Sequence, residues 1–374
     1  MKVLAAACFV LLFLNVAESR AVAGSGGNVT SSKRHHEHGH HGGERPTHKH
    51  MLFVFGDEFA DAGNLATEAN LGGYSKTWRY PFGMSDAAHG RKPTGRFSDG
   101  LVQSDYMAKI MGKRESPPAY NGDGWDGEVV DPSGINFAVG GAGVLQAPPG
   151  AAPAGARVAT LHAQVRQLRD LVSDGLLQDK DFDESVALVA FSGNDYAQVD
   201  ADGFDALIPT VVDEEASVVS QLQDMGVTKV VVSTLPPFGC SPWLARDSNY
   251  TSCLDGSNDG PAKHNAALRD RLDGDDDVMV LDVYTVMMDM VAPPAEGSEL
   301  SARFKERLQP CCESYDEDGA YCGDPDGRYW LCDRPEDYFY WDFVNPTQAG
   351  WRAVMQMLQG PIMAFLGISQ LNHF

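Results

Sequence analysis

Met51-Leu-Phe-Val-Phe-Gly-Asp-Glu-Phe-Ala-Asp-Ala-Gly-Asn64 is the stretch that decides how this chain folds. Five apolar residues, Met51 to Phe55, run into Gly56-Asp57 without helical spacing. That pattern predicts a short strand buried on both faces, ended by a glycine that allows a tight turn. Beyond the turn, Glu58, Phe59, Asp61 and Ala62 can start a helix. A residue at such a strand-to-helix turn is presented at the carboxyl edge of the sheet, where open α/β folds bind their ligands. Here that residue is Glu58.

Outward from this strand the chain alternates. Further strands are predicted at Ile135–Val139, Ser185–Phe191, Lys229–Thr234 and Val278–Val283. Between them lie helical patterns near Leu101–Met111, Thr160–Ser173, Pro209–Met225 and Ala262–Leu272. Pro209 is read as opening its helix and Gly226 as stopping it. Thr347–Phe365 closes the chain as a helix, with a break expected at Gly360-Pro361. Ala147–Gly155, rich in Pro, Ala and Gly, reads as a loop. Five short strands interleaved with helices predict an α/β fold with a mostly parallel sheet covered on both faces.

The ends of the chain read differently from its body. Lys2, the apolar run Val3–Val16 and the small residues Ala21-Val22-Ala23 make residues 1–23 a secretory signal peptide. Residues 24–50 hold seven of the eleven histidines, with many Gly and Ser, and are expected to be a disordered leader. No linker or repeat divides residues 51–374, so one domain is expected there. No later stretch reaches transmembrane length. The body carries 23 basic against 49 acidic residues, a net charge of −26, which disfavours nucleic acid and anionic membranes as partners.

Cysteine usage agrees with export. Cys8 leaves with the signal, and six remain: Cys240, Cys253, Cys311, Cys312, Cys322 and Cys332. An even number in a secreted chain implies three disulfides. Proximity favours Cys240–Cys253, and adjacent Cys311 and Cys312 are expected to take separate partners. Zinc, the competing reading, lacks a CxxC pair or a nearby histidine. The acidic run Asp273–Asp277 lacks the alternating ligands of a calcium loop, so neither a metal nor a cofactor is expected. Asn28-Val-Thr and Asn249-Tyr-Thr are acceptor sequons for glycosylation. Trp330, Trp341 and Trp351 read as packing residues of the C-terminal segment.

Four segments fall at strand ends or near the C-terminus: Gly56-Asp57-Glu58, Gly140-Gly141, Gly193-Asn194-Asp195 and Tyr340-Trp-Asp-Phe-Val-Asn-Pro-Thr347. With Arg96-Phe-Ser-Asp-Gly100, Leu235-Pro-Pro-Phe-Gly-Cys240 and Pro310-Cys-Cys312, they closely resemble the GDSL esterase/lipase family of SGNH hydrolases in its secreted plant form. The resemblance covers about 51–367. It implies a flavodoxin-like three-layer α/β/α fold and hydrolysis of esters of small acyl groups or lipids. With the signal peptide, an extracellular or cell-wall location is expected, and a monomer whose ligands are esters, lipids or acylated polysaccharides.

In that family the first block carries a serine nucleophile, and the last an Asp-x-x-His whose histidine activates it. The resemblance assigns Gly140 and Asn194 to the oxyanion hole and Asp342 to the triad aspartate. The nucleophile position, however, holds Glu58, and the base position holds Asn345. Glutamate has no hydroxyl to activate, and an amide is no base near neutral pH. Outside the leader the histidines are His89, His162, His264 and His373, none near a motif. The resulting expectation is a pseudo-hydrolase that binds an ester, lipid or acylated glycan without cleaving it, with the Glu58 carboxylate lying in the oxyanion hole. Two alternatives stay open. Glu58 and Asp342 could act as a carboxylate pair on ester or glycosidic bonds, or the chain could serve a purely structural or storage role.

Overall fold

The computed structural model describes residues 50–65, 75–120, 129–145, 158–197, 199–254, 256–293, 297–315, 320–369 and 374. The expected signal peptide, nearly all of the leader, Asn28 and the Ala147–Gly155 loop lie outside the described residues.

In chain order the main elements are β1 (Leu52–Gly56), α1 (Gln103–Ile110), β2 (Gly134–Asn136), α2 (Leu161–Ser173), α3 (Asp179–Phe182) and β3 (Val186–Ala190). Then come α4 (Ala201–Asp224), β4 (Lys229–Ser233), α5 (Pro242–Ala245), α6 (Asp259–Leu272), β5 (Val278–Leu281) and α7 (Val283–Val291). β6 (Glu306–Pro310), β7 (Cys312–Ser314), β8 (Tyr329–Leu331), β9 (Tyr338–Tyr340) and α8 (Gln348–Leu366) complete the chain. The five predicted strands form one fully parallel sheet in the order β2-β1-β3-β4-β5.

Because strand side chains alternate, each strand feeds both faces. Leu52 and Val54 of β1 pack with α1, α7 and α8, whereas Phe53 and Phe55 pack with α2, α4 and α6. The result is a three-layer α/β/α sandwich. From β1 the chain steps to β2 on one side, and then crosses to β3 on the other. That reversal opens a crevice at the carboxyl end of β1.

Four local expectations need correction. Glu58 to Ala62 form a turn and not a helix. Ala60 and Asp61 donate their N–H groups to the Asp57 carbonyl at 3.1 and 2.9 Å, and the Asp61 carboxylate then captures the N–H groups of Gly63 and Asn64 at 2.7 and 2.6 Å. Pro209 sits inside α4 instead of opening it. The helix begins at Ala201, capped by the Asp200 carboxylate on the Gly203 N–H at 2.9 Å. Likewise α8 runs through Gly360-Pro361 to Leu366. Both prolines are exposed, so the missing N–H and the ring fall on the solvent side, where a helix tolerates them best. Val283 begins α7 after an Asp282 cap and is not the end of β5.

The three disulfides are Cys240–Cys253, Cys311–Cys332 and Cys312–Cys322. The last two form a small core with Phe82 and Trp341. Trp341 and Trp351 are fully buried, while Trp330, grouped with them on sequence, is 40% exposed beside Tyr338.

Candidate functional site

Gly56 explains how β1 can deliver its turn so deep into the crevice. Its φ is +150°, and a Cβ there would stand 2.0 Å from the Ala190 carbonyl oxygen, so only glycine fits against β3. Gln164 of α2 fixes the same peptide from both ends. It accepts from the Gly56 N–H and donates to the Gly56 carbonyl, each at 2.8 Å.

Asp57 follows, with no exposed surface. Its Oδ2 accepts from the Ser192 N–H at 2.5 Å, the Ser192 hydroxyl at 2.8 Å and the Asn194 amide at 3.2 Å. Burial, and next the neighbouring Glu58 charge, push its carboxyl well above the usual range despite those donors.

Glu58 turns its carboxylate back over the sheet edge. Oε2 accepts from the Gly141 N–H at 3.0 Å and the Asn194 amide at 3.0 Å, and Oε1 lies 3.0 Å from the Ser192 hydroxyl, whose single proton it shares with Asp57. Asn194 opens a 3-10 turn behind Gly193, whose φ of +103° aims the amide inward. Gly140, assigned on sequence as the oxyanion donor, is not one of these partners. Its N–H goes to Asp61 Oδ2 at 2.8 Å, and the next residue, Gly141, supplies the donor. Asp61 is itself buried, which raises its carboxyl to about 6. Gly140 is required for space instead, because a Cβ there would lie 2.3 Å from the Phe97 ring.

Asp342 and Asn345 form a second cluster, positioned by Trp341 wedged edge-on against Phe82. Asp342 Oδ1 accepts from the Val344 and Asn345 N–H groups at 3.1 and 2.8 Å and from the Asn345 amide at 3.0 Å. Lys76 donates to the other oxygen, Oδ2, at 3.1 Å, with side-chain exposures of only 14% and 7% across the pair. The ammonium also lies 5.7 and 5.9 Å from the ring centres of Phe82 and Phe97. Asn345 thus spends its NH₂ on Asp342, and its buried Oδ1 has no hydrogen-bond partner among the described residues. Phe97 reaches both clusters, through Gly140 on one side and Lys76 on the other.

All five residues singled out on sequence therefore lie at the crevice end of the sheet or in the Trp341 cluster, but they fall into two sets with separate hydrogen bonds. The hydrogen bonds of Glu58 go to Gly141, Asn194 and Ser192, and those of Asp342 to its own turn and Lys76. Sequence reasoning missed Ser192, Gly141 and Lys76. Gly141 sits inside a motif already quoted, and Ser192 lies between the third predicted strand and the Gly193-Asn194-Asp195 motif. Lys76 carries no motif at all and is brought in only by the fold.

The sequence profile of the GDSL-like Lipase/Acylhydrolase family matches residues 52–358. One GDSL esterase/lipase of Arabidopsis thaliana is 32% identical over 86% of this chain and 97% of its own length. A second from the same plant is 30% identical over 96% and 97%. A solved GDSL-like lipase from Parabacteroides merdae, 11% identical, aligns over 86% of this chain and 97% of its own with a TM-score of 0.33, too low to add to the fold traced above. The chain belongs to the GDSL lipase/acylhydrolase family.

One prediction concerns the carboxyl pair. Glu58→Gln can keep the same contacts, with its oxygen on Gly141 and Asn194 and its NH₂ on the Ser192 hydroxyl, while removing the charge that bears on Asp57. Stability at pH 7 is expected to rise by about 1 kcal/mol, read as a higher urea midpoint with unchanged slope. A fall would show that the charge-assisted bonds to Glu58 outweigh the repulsion.

Proposed function

We propose that this chain is a secreted, non-hydrolytic member of its family that binds a small ester, lipid or acylated glycan at the crevice without forming an acyl-enzyme. The observation that carries this reading is the Glu58 carboxylate resting on the Gly141 N–H and the Asn194 amide. Donors of that kind stabilise a developing oxyanion in an acyl-transfer site. Here a fixed anion of the chain itself holds them, and no hydroxyl stands at the turn to attack. Three disulfides and the N-terminal apolar run support export.

The carboxylate alternative has less support, because Lys76 neutralises Asp342 and the partner of Glu58 is buried Asp57. The test is hydrolysis of short- and long-chain nitrophenyl esters and of acetylated polysaccharide by the purified protein, with binding followed by calorimetry. No turnover above the uncatalysed rate is expected. Glu58→Ser alone is expected to stay silent as well, since Asn345 cannot take the serine proton. Turnover by the wild type that Glu58→Gln abolishes would overturn the proposal and establish carboxylate chemistry.

A further inference from the structure

A cleft of about 350 Å³ has Ala62 and Arg96 in its lining but none of Glu58, Gly141, Ser192 and Asn194. Its charged lining is His89, Arg96, Lys113, Arg114, Glu115 and Asp131. In a body with a net charge of −26, such a concentration of cations is unusual.

These cations are not equivalent. Arg96 is spent, since it grips Asp105 through two bonds of 2.8 Å and touches Thr94 at 3.1 Å. His89 stands between Asp86 at 2.7 Å and Glu115 at 3.2 Å, which also occupies the Glu115 carboxylate. Asp131 accepts the Ser133 N–H at 2.7 Å and forms no ion pair with Lys113. Lys113 and Arg114 remain. Neither side chain has a hydrogen-bond or ion-pair partner among the described residues, although Lys113 is half-buried. Burial lowers its ammonium, with Asp131 opposing weakly. A lysine that gives up water and gains no hydrogen bond or close ion pair, only the through-space pull of Asp131, is costly to keep, and an arriving anion would repay that cost.

We propose that this cleft is a second binding site, independent of the Glu58 crevice, for a small molecule bearing one carboxylate or phosphate group held by Lys113 and Arg114. The volume suits a body about the size of one sugar ring, at the small end of ligand pockets. Pro117 and Pro118 supply an apolar wall on which such a ring can lie.

Calorimetric titration of the full-length protein with inorganic phosphate, glucuronate and neutral glucose tests this at low and moderate salt. Glucuronate or phosphate should bind in the millimolar range or tighter and glucose should not. Whichever of the two anions binds tighter identifies the group. Lys113→Met should weaken that binding about tenfold, which corresponds to the loss of roughly 1.4 kcal/mol. Arg114→Gln should weaken it less, and Glu58→Gln should leave it unchanged. The proposal is overturned by the absence of binding to either anion at 50-fold higher concentration, or by binding that both cleft variants retain. Equal melting temperatures of wild type and Lys113→Met would verify that the variant is folded.

Discussion

Glu58→Ser/Asn345→His is expected to hydrolyse nitrophenyl acetate slowly, and adding Lys76→Met is expected to raise that rate tenfold or more. The serine would restore a hydroxyl at the turn, and removing the glutamate would free the Gly141 N–H and Asn194 amide for an oxyanion. The imidazole would restore a base three residues from Asp342. It would not inherit a free aspartate, because the Lys76 ammonium sits 3.1 Å from Asp342 Oδ2. An orienting aspartate matters greatly to such a dyad. Taking it away in a serine protease costs about 10⁴ in kcat, since the imidazole loses its tautomer and the stabilisation of its charged form. Lys76 would also oppose the positive charge that imidazole gains as it accepts the serine proton. Lys76→Met keeps the stem between Phe82 and Phe97 while removing the charge. Equal rates for the double and triple variants would show that Lys76 swings aside once a histidine is present. Activity in the wild type would show that this site never needed repair.

How much of this was legible in the sequence depends on which interactions are local. The five parallel strands could be read because each is short and largely apolar, and three of them run straight into Gly56, Gly140 or Ser192. The two prolines misled because residue type reports only the missing N–H. The side of the helix it faces is decided by tertiary packing, and both Pro209 and Pro361 face solvent. The Asp61 carboxylate cut short a helix that composition allowed, by offering nearby N–H groups a competing acceptor. Glu58 and Asn345, standing where the resembled family has its serine and histidine, were visible as two letters. The lock on what remains was not. Lys76 and Asp342 are 266 residues apart, and no local pattern joins them. The same limit explains why Gly141 and not Gly140 donates to Glu58, since adjacent glycines differ only in where the fold points their N–H groups.

The other large effect lies in the layer beneath the Asn194 turn. Glu215 of α4 and His264 of α6 are buried, 2% and 0% exposed, and face each other at 3.4 Å. His264 Nδ1 meets the Tyr196 hydroxyl at 2.9 Å, and Tyr196 closes the 3-10 turn that Asn194 opens. Glu215 Oε2 and His264 Nε2 have no hydrogen-bond partner among the described residues. Burial, reinforced by Asp195, raises the Glu215 carboxyl to about 8, and burial lowers the His264 imidazole to about 4, so the contact is between two neutral groups and not an ion pair. The two titrations oppose each other. Unfolded Glu215 loses its proton near 4.5 while the native one keeps it to about 8, so this residue drains stability as pH rises through that window. Unfolded His264 gains a proton near 6.5 while the native one stays neutral to about 4, so the histidine drains stability as pH falls through that window. Glu215→Gln imitates the protonated acid and cannot ionise, so only the first drain is removed. Urea unfolding is expected to show the variant more stable than wild type by about 2–4 kcal/mol at pH 8 and nearly equal to it at pH 4.5. The loss below pH 6.5 should persist in both proteins, since His264 is unchanged. Parallel stability curves across pH 4.5 to 8 would mean that Glu215 ionises in the native state as readily as in the unfolded one. The Asn194 turn would then rest on a charged pair, and Glu215→Gln would destabilise it at every pH.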